Sequence, residues 1–234
     1  MRRGESYFEK RMNGRFSRLF YATWIPPQKL IPKEFLEKNI NKSDDVLFIG
    51  SALAIDKAYN IKADQLSDKF SSLDIDPGKK PTYISDAQEF VKKFKLNEKF
   101  DTVVSIGLLE HVENPQKVID ESFLCLKQGG KSLHWVPFIY RVHASYGDYW
   151  RFTIDGLKYL FREYENVKII PSGGFFSVCV RMFYEATSPL KDIGFLIRIL
   201  FYPFAKLIVK LDRFTPEELY CRGYFITAEK PKTN

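Results

Sequence analysis

Two kinds of segment alternate along the chain, and the spacing of their apolar residues predicts their structure. Short apolar runs typical of buried strands lie at 45–50, 70–75, 81–85, 100–107, 131–138, 166–170 and 220–230. Segments with the apolar spacing of a helix lie at 28–40, 54–68, 86–94, 114–130 and 153–164. Because strands alternate with helices, the pattern predicts an α/β fold with a mostly parallel, seven-stranded sheet and helices on both faces.

Local signals at the ends of these segments support the assignment. Asp76–Pro77–Gly78 is a turn sequence that closes the second strand. Asn114 and Pro115 are typical of the first residues of a helix, and the pair Gly129–Gly130 is expected to end that helix. Thr153 is expected to cap the next helix at its N-terminus.

The chain is predicted to form one main domain that carries a large insert. Residues 1–43 are assigned to an N-terminal arm and helix, and residues 44–234 to the domain that contains the sheet. The insert, 171–219, separates strands six and seven, and we expect it to be helical because much of it is apolar.

Segment 193–211 is the most apolar part of this insert. Its charges share one helical face with a tyrosine, because these residues recur at steps of four: Arg198, Tyr202, Lys206 and Lys210. The charges argue against a membrane-spanning helix, and Pro203 is expected to kink or divide the segment. Two interpretations remain open. The segment is either a basic amphipathic helix on an anionic membrane surface, or a helix packed on the protein's own core or a second subunit.

The overall composition is that of an ordinary globular protein of 234 residues, 45% hydrophobic and 28% charged. The net charge of +7 permits an anionic partner such as a membrane or nucleic acid. The three cysteines lie far apart, so neither a disulfide framework nor a metal site is indicated. Because the first residues contain no long apolar run, we expect no secretory signal and a cytoplasmic protein, with any membrane association on the cytoplasmic face.

Candidate ligand-binding residues lie where the first strands end, because ligands of parallel sheets bind at the carboxyl ends of strands. Gly50 ends the first strand, but the glycines that a dinucleotide fingerprint needs at 52 and 55 are absent. Asp74 ends the second strand, and Asp86 follows the third. Carboxylates in these places suit ribose hydroxyls and an adenine amino group. The sequence therefore predicts an adenosine ligand without pyrophosphate, and S-adenosylmethionine is such a ligand.

Each of these two carboxylates also has a simpler interpretation. Asp74 lies in a turn sequence, and Asp86 is typical of the N-cap of helix 86–94. Their joint placement after consecutive strands favours adenosine binding over two unrelated structural roles.

Five stretches of the sequence carry a resemblance to a known family. They are VLFIGS (46–51), SSLDIDPG (71–78), ISDAQEF (84–90), FDTVVSIGLLEHVENP (100–115) and LKQGGKSLHWVPF (126–138). On these stretches the chain resembles the class I S-adenosylmethionine-dependent methyltransferases of the methyltransferase type 11-like kind, which have a Rossmann-like fold. The resemblance implies S-adenosylmethionine as the cofactor, and these cofactor-binding residues: Gly50, Ser51, Asp74, Ile75, Asp86, Ala87, Ser105, Ile106 and Gly107.

The resemblance also implies roles for these residues. Gly50 and Ser51 would lie by the methionine part of the cofactor, Asp74 would bind the ribose, and Asp86 and Ala87 would lie by the adenine. The loop after strand one departs from the family, because it keeps one glycine where the family has two or three. This departure leaves a degenerate, non-catalytic relative as an alternative.

A nucleic-acid methyltransferase is a second alternative, suggested by the basic net charge. Such enzymes that act on amino groups often carry Asn or Asp, two prolines and an aromatic residue after strand four. Here that place reads Ser105–Ile106–Gly107–Leu108, which argues against a nucleic-acid partner.

The segment HASYGDYWRFT (143–153), between strand five and the next helix, is predicted to face the methyl acceptor. His143 is the candidate general base because imidazole titrates near neutral pH, and Asp148 is the second candidate catalytic residue. The candidate substrate-binding residues follow directly: Tyr149, Trp150 and Arg151. In a simpler interpretation, the arginine only braces the loop by pairing with Asp148, and the tryptophan caps the core.

A similar His…DYWRFT segment occurs in a subgroup of these methyltransferases, often encoded near genes for sugar polymers and glycans. The resemblance implies O-methylation of a sugar, a glycolipid or another small acceptor, which includes glycan-linked and lipid-linked acceptors. The other two histidines are expected to be structural. His111 would order the turn after strand four, and His134 lies within strand five.

Overall fold

The structure, a computed structural model, describes residues 32–50, 62–143 and 147–232 of the chain. The strands in these ranges are β1 Asp45–Ile49, β2 Lys69–Asp74, β3 Tyr83–Ile84, β4 Phe100–Ile106, β5 Leu126–Pro137, β6 Glu165–Pro171 and β7 Gly223–Glu229. The α-helices in the same ranges are α1 Pro32–Asn39, α2 Ala63–Leu66, α3 Val91–Phe94, α4 Pro115–Cys125, α5 Ile154–Leu160, α6 Phe175–Ala186 and α7 Lys191–Val209. Most of the predicted arm, and most of the helix predicted at 54–68, lie outside the described residues.

The strands form one sheet in the order β3-β2-β1-β4-β5-β7-β6. The pairs β1–β2, β1–β4, β2–β3 and β4–β5 are parallel. Val46 of β1 pairs with Phe70 on one side and Thr102 on the other, so β1 lies between β2 and β4. The strand order reverses at β1 and β4, which is where parallel sheets of this kind bind ligands. The sheet confirms the predicted α/β, Rossmann-like fold.

The prediction for the start of β5 is wrong by several residues. Helix α4 ends at Cys125, and Gly129–Gly130, expected to end that helix, lie inside β5. Gly129 N donates to Lys230 O, and Lys230 N donates to Gly130 O, both at 2.9 Å. Pairing with the end of the chain therefore holds these glycines in the sheet. The prediction failed because glycines mark irregular strands as well as helix ends.

Side-chain caps confirm two predicted helix starts. Asn114 and Thr153 each accept a hydrogen bond from a main-chain N–H of the first turn, at 3.3 and 3.2 Å. The helix predicted at 86–94 is reduced to α3, Val91–Phe94. Asp86 is not its N-cap, because its Oδ1 accepts from Gln88 N at 2.9 Å and closes a separate turn.

The chain divides into two compact units. What we call the sheet unit contains the described parts of 30–138, 149–170 and 224–234. What we call the helical unit contains, among the described residues, 139–143, 147–148 and 171–223. Helix α1 belongs to the sheet unit. The predicted boundary between an arm at 1–43 and a domain at 44–234 stays a prediction.

The core of the sheet unit is made by its central strands. Side chains without exposed surface come from β1, β4 and β5: Val46, Leu47, Val103, Val104 and Leu133. Burying each aliphatic side chain of this size contributes about 1.5–3 kcal/mol. This core therefore fixes the strand ends that carry the candidate site.

Helices α6 and α7 form the core of the helical unit. Their contact is made by Val180, Phe183, Tyr184, Phe201 and Ala205. The rings of Phe183 and Phe201 lie 4.5 Å apart between centroids. Gly194, near the start of α7, permits a close approach, because a Cβ there would overlap the main-chain oxygen of Thr187. Any larger residue would push this part of α7 away from the end of α6.

A buried carboxylate holds the start of α6. Asp212 is 1% exposed. It accepts hydrogen bonds from Gly174 N, Phe176 N, Ser177 N and Ser177 Oγ. Because the first N–H groups of a helix have no partner within the helix and carry partial positive charge, this carboxylate both satisfies them and stabilises the helix end.

Helix α7 has an exposed apolar face. Five of its apolar side chains are more than half exposed: Ile193, Leu196, Leu200, Phe204 and Leu207. The predicted basic stripe is wrong at Arg198, which is buried and donates from Nε to Gly194 O at 3.0 Å. Lys206 and Lys210 are exposed. Pro203 lies inside α7 and does not divide it. None of the helices in the described ranges has the length and apolarity to cross a bilayer.

The three cysteines all lie in the described ranges, are not joined by disulfides there, and differ in their surroundings. Cys125 and Cys221 are buried, whereas Cys179 on α6 is exposed. Burial raises the pKa of the Cys125 thiol, because a thiolate is poorly stabilised away from water. Only Cys179 is therefore open to reagents from solvent.

Candidate functional site

The carboxyl end of β2 presents a buried carboxylate. Asp74 is the last residue of β2 and is 5% exposed. Its Oδ1 accepts from Asp76 N at 2.9 Å, and its Oδ2 lies 3.0 Å from Lys79 Nζ. Each carboxylate oxygen has a second lone pair, so Asp74 keeps the capacity to accept from two hydroxyls. The turn-forming role and the ligand-binding role of Asp74 are therefore compatible.

The main chain turns sharply where β1 and β4 end. Gly50 has a φ of +80°, and its N donates to Leu73 O at 2.9 Å. The positive φ favours glycine here, and a Cβ at position 50 would lie 2.9 Å from Leu108 Cδ1, so a larger residue would also displace that side chain. Gly107, after β4, has a φ of +66°. The predicted site residue Ser51 lies outside the described residues.

The turn after β3 places the second predicted acid. Asp86 is half-buried, and Ala87 next to it is buried. The carboxylate of Asp86 accepts from Gln88 N at 2.9 Å and lies 3.2 Å from Gln88 Nε2. The side chain is thus oriented by its own turn.

The end of β4 is tied to β5 through a buried histidine. Ser105 Oγ lies 2.6 Å from His134 Nδ1, and Ser132 Oγ lies 2.7 Å from Nε2 of the same ring. Burial lowers the pKa of His134 to about 3, so the ring is neutral at physiological pH. His134 is therefore structural, as expected. The Ser105 hydroxyl is engaged in this network, while Ile106 and Gly107 are half-buried at the strand end.

The chemistry of this edge fits adenosine. Asp74 and Asp86 supply carboxylate oxygens for hydroxyl and amino groups, and Ile75, 69% exposed, supplies an apolar surface for a base. The edge does not suit a pyrophosphate, because carboxylates repel phosphates and Lys79 is already paired with Asp74. S-adenosylmethionine has an adenosine group and no phosphate, so the residues present fit it.

Residues 149–152 are anchored within the sheet unit. The anchoring donors are Tyr149 N to Glu110 O, Trp150 Nε1 to Val112 O and Phe152 N to Pro137 O, at 2.7, 2.9 and 3.0 Å. Tyr149 and Trp150 nevertheless expose 54% and 42% of their surface. Arg151 Nη1 donates to Trp150 O at 2.7 Å. The Trp150 ring and the Tyr149 main chain are thus held in place, and both side chains are still accessible. His111 lies in the 3₁₀ turn after β4, as expected.

His143 and Asp148 form a close pair in the helical unit. His143 N donates to Asp148 Oδ2 at 3.0 Å, and His143 Nδ1 lies 3.3 Å from the same oxygen. Nδ1 also lies 3.2 Å from Arg141 O. A carbonyl oxygen and a carboxylate are both hydrogen-bond acceptors, so Nδ1 of this ring faces two acceptors.

A family model described as a methyltransferase domain matches residues 16–166, which is more than half of the chain. The chain belongs to this methyltransferase family. It is a class I S-adenosylmethionine-dependent methyltransferase, and S-adenosylmethionine is its cofactor, as the sequence resemblance implied. No curated protein matches the sequence.

Solved structures of methyltransferases share the fold of this enzyme. A SAM-dependent methyltransferase from Archaeoglobus fulgidus is 16% identical, with 97% of this chain and 100% of that chain covered and a TM-score of 0.54. A structure of the Haloferax volcanii Trm112 methyltransferase activator in complex with a methyltransferase gives 14% identity. The match covers 98% of this chain and 100% of that chain, with a TM-score of 0.57. Haemonchus contortus phosphoethanolamine N-methyltransferase 2, in complex with S-adenosyl-L-methionine, is 12% identical to this chain. The match covers 93% of this chain and 56% of that chain, with a TM-score of 0.53. At these identities the likeness concerns the fold alone.

The methyltransferase has an ion-pair cluster that the sequence did not indicate. Arg141 Nε lies 2.8 Å from Glu185 Oε2, and Arg181 Nε lies 2.5 Å from Glu185 Oε1. The Glu185 side chain is only 8% exposed. The spacing of Arg181 and Glu185 on α6 is a recognisable helical pair. The contact with Arg141 depends on the tertiary fold, so no local pattern could have revealed it.

Aromatic and main-chain contacts also hold the segment 139–143, which follows β5 and contains Arg141. The Tyr140 ring meets the His143 ring edge-on at 5.0 Å between centroids. The Arg222 guanidinium lies 5.5 Å from the Tyr140 ring, and Ile139 N donates to Cys221 O at 3.3 Å. The segment before β7 therefore contacts Ile139 and Tyr140, and helix α6 contacts Arg141.

Proposed function

We propose that this methyltransferase methylates a hydroxyl group of a sugar, a glycolipid or another small acceptor, with His143 as its general base. The observation that supports this best is the contact of His143 Nδ1 with Asp148 and with the Arg141 carbonyl. A carboxylate this close to Nδ1 would stabilise the imidazolium that forms when the ring takes a proton. An alcohol needs such a base more than a neutral amine does, because its oxygen must lose a proton as it attacks.

The proposed base removes one proton, that of the acceptor hydroxyl. When bound, S-adenosylmethionine would supply a methyl group on a sulfonium, with the electrons of the broken S–C bond staying on sulfur. The acceptor oxygen would form the new O–C bond, and His143 would take the hydroxyl proton. Asp148, 3% exposed at its side chain, then stabilises the imidazolium by its negative charge.

The residues proposed to hold the cofactor are those of the strand ends. Asp74 would accept from the ribose hydroxyls, Ile75 would contact the adenine, and Asp86 with Ala87 would flank the adenine amino group. Main-chain groups of the remaining residues would line the cofactor: Gly50, Ser51, Ser105, Ile106 and Gly107. The remaining acceptor capacity of Asp74 supports this assignment, as does the glycine-only backbone at Gly50.

The acceptor is proposed to contact Tyr149, Trp150 and Arg151. Aromatic rings pack well against the apolar C–H face of a sugar, and their polar groups remain available for hydroxyls. The exposure of Tyr149 and Trp150, together with their fixed main chain, supports this role. Arg151, next to them, would donate hydrogen bonds to the same acceptor.

The test uses S-adenosylmethionine labelled in its methyl group and a panel of nucleoside-diphosphate sugars, alkyl glycosides, polyprenyl-phosphate sugars and amines. We expect alkali-stable methyl ethers with the parent. His143→Ala should lower turnover by about 100-fold or more, the scale of general-base catalysis, and Asp148→Asn should lower it less. Cofactor affinity by calorimetry should be unchanged in both, and His111→Gln is the matched histidine control. Methylation of amines alone, or parent-like turnover in His143→Ala, contradicts the proposal.

We further propose that the helical unit docks on an anionic membrane through α7, at the cytoplasmic face. The exposed apolar face would enter the acyl boundary, and Lys206 and Lys210 would stay at the headgroups. Each lysine could add about 1 kcal/mol on an anionic leaflet. A helix turns by about 100° per residue, so both lysines lie along one border of the apolar face. A lipid-linked acceptor would then reach the unit that carries His143 from the membrane.

Flotation with anionic and neutral vesicles tests the docking. The parent should float with phosphatidylserine-rich vesicles, and Lys206→Glu/Lys210→Glu and Leu200→Ser/Phe204→Ser should remain in solution. Lys92→Glu/Lys117→Glu, the same charge change on exposed residues of the sheet unit, is the matched control and should float. A parent that stays in solution but forms dimers lost in Leu200→Ser/Phe204→Ser would assign the face to a second subunit instead.

A further inference from the structure

Helix α6 is apolar where it is exposed and charged where it is covered. Its exposed residues recur at steps of four and three along one face: Phe175, Cys179, Met182 and Ala186. Its charged residues are Arg181 and Glu185, whose side chains are 23% and 8% exposed and pair with each other. A helix at a water-exposed surface usually shows the opposite pattern. The inverted pattern of α6 is that of a helix in contact with an apolar environment.

Helix α7 shows the same inversion over most of its length. Every exposed residue between positions 193 and 205 is apolar: Ile193, Leu196, Ile199, Leu200, Pro203 and Phe204. The charged residue of that stretch, Arg198, is buried. The apolar face of α7 is therefore not interrupted by an exposed charge before Lys206.

The two helices run in opposite directions. Thr187, directly after α6, faces Gly194 near the start of α7. Ser177, near the start of α6, donates to Asp212, which follows α7. The end of one helix thus lies by the start of the other, and α6 and α7 form an antiparallel hairpin within the helical unit.

The exposed stripes of both helices lie on the same side of this hairpin. Since a helix turns by about 100° per residue, each stripe lies about 120° around the axis from the side that contacts the other helix, turned in the same sense on both. In antiparallel helices, stripes turned in the same sense point to the same side of the pair. We call this combined surface the hairpin face: Phe175, Cys179, Met182, Ala186, Ile193, Leu196, Leu200, Phe204 and Leu207.

Three cations border the hairpin face. Lys206, Lys210 and Arg213 are exposed, and their positions lie on the border of the α7 stripe that is turned away from α6. The one acid of α7, Asp192, lies at the opposite end of the helix. Long basic side chains can extend to lipid headgroups while their helix lies among apolar groups. The border is therefore complementary in charge to an anionic membrane surface.

We propose that the hairpin of α6 and α7 lies flat in one leaflet of an anionic membrane, with both helices against the acyl chains and Lys206, Lys210 and Arg213 at the headgroups. The inference rests on the membrane docking proposed above for α7 and extends it to α6. Because the exposed residues of α6 are uncharged, its contribution would be purely apolar. Two adjacent helices would bury a broader apolar surface than α7 alone.

A titration with phosphatidylserine-rich vesicles, followed by sedimentation, measures the partition of the protein. Phe175→Ser/Met182→Ser leaves α7 intact and should weaken partition by about tenfold or more, because two apolar side chains no longer leave water. Met182→Glu, one change at an exposed position, should act in the same direction and carries the test if the double variant fails to fold. Circular dichroism checks the fold of each protein.

The matched control is Ile84→Ser/Leu124→Ser. It makes the same kind of change at two residues of the sheet unit that are 49% and 44% exposed, close to the 41% and 44% of Phe175 and Met182. This variant should partition like the parent. An equal loss in the control would overturn the inference, because any exposed apolar residue would then have the same effect.

The remaining outcomes separate this inference from the docking on which it rests. If the α6 variants partition like the parent while Leu200→Ser/Phe204→Ser does not bind, α7 docks alone and the inference about α6 is wrong. A parent that binds no vesicles overturns both proposals. Dimers in solution that are lost in Phe175→Ser/Met182→Ser, without vesicle binding by the parent, would assign the hairpin face to a second copy of the chain.

Discussion

The two units treat the same kind of side chain in opposite ways. In the sheet unit, Leu47 and Val104 of the central strands have no exposed surface. In the helical unit, Leu200 and Leu207 of α7 are 65% and 64% exposed. The central strands of the sheet unit thus bury their apolar residues, whereas α7 keeps much of its apolar surface at the protein's exterior. We infer that the first unit is built for internal stability and that the second is built for contact.

The polar residues differ between the units as well. The sheet unit places carboxylates, Asp74 and Asp86, at or just after its strand ends. The helical unit instead gathers His143, Arg141 and Arg181 with the acids that hold them. In our proposal the first set binds the cofactor and the second set contains the base. The two proposed roles thus belong to different units of the fold.

The largest expected effect tests the burial contrast. Leu47→Ala should lower the free energy of unfolding by about 3 kcal/mol, because it leaves a cavity in a packed core. Leu200→Ala removes the same atoms from an exposed position and should change it by less than about 0.5 kcal/mol. Urea denaturation of both variants measures the difference. Equal losses in the two variants would show that α7 is covered in solution.

The next effect separates the units by ligand binding. Asp74→Ala should weaken S-adenosylmethionine binding by about tenfold or more, since hydrogen bonds to a charged group contribute about 1.5–3 kcal/mol each. Glu185→Gln, in the helical unit, should leave that affinity unchanged. Isothermal calorimetry on both variants tests the contrast. Undiminished binding by a folded Asp74→Ala protein would refute the assignment of β2.

The pH dependence of stability tests the burial of His134 in the sheet unit. The pKa of His134 is depressed to about 3 by burial. Below about pH 6.5 the unfolded chain therefore binds a proton that the folded chain does not, and stability falls as the pH falls. Between pH 7 and pH 5 this should cost about 2 kcal/mol.

The matched variant for that experiment is His134→Gln, which keeps hydrogen-bonding groups for the two serines. Carboxylates titrate equally in both proteins, so the parent should lose about 2 kcal/mol more than the variant between pH 7 and pH 5. Urea denaturation at the two pH values gives the comparison. Parallel losses would mean that His134 is protonated in the folded protein.

The smallest effect concerns Lys79. Its side chain is 38% exposed, so its ion pair with Asp74 is partly screened by water. Lys79→Met should change S-adenosylmethionine affinity by less than about 1 kcal/mol, the scale of such pairs. A loss as large as that of Asp74→Ala in the same calorimetric assay would make Lys79 a cofactor ligand in its own right.

The sequence predicted most of the sheet, because a strand buried on both faces leaves an unmistakable apolar run. It predicted the caps at Asn114 and Thr153 for a similar reason, since a cap is a contact between near neighbours. It misplaced the start of β5, because the pairing of Gly129 and Gly130 with Lys230 is long-range. Local sequence patterns therefore predict contacts between residues that are near neighbours in the chain, but not long-range pairing.

The same limit applies to the candidate site. The closeness of His143 and Asp148 within one loop was accessible from their spacing. The role of Arg198 was not, because a helical repeat groups residues on a face without telling which face meets the protein. The link between Glu185 and Arg141 joins residues that are far apart in sequence, so it needed the structure.

The exposure of Cys179 has a practical consequence for studying this enzyme. With Cys125 and Cys221 shielded, a maleimide dye should attach at a single native position, without any engineered cysteine. The neighbouring turns of α6 present Phe175 and Met182, which are 41% and 44% exposed. A polarity-sensitive fluorophore there would change colour as lipid approaches this side of the helix. The wild-type chain thus supplies its own optical reporter for the helical unit.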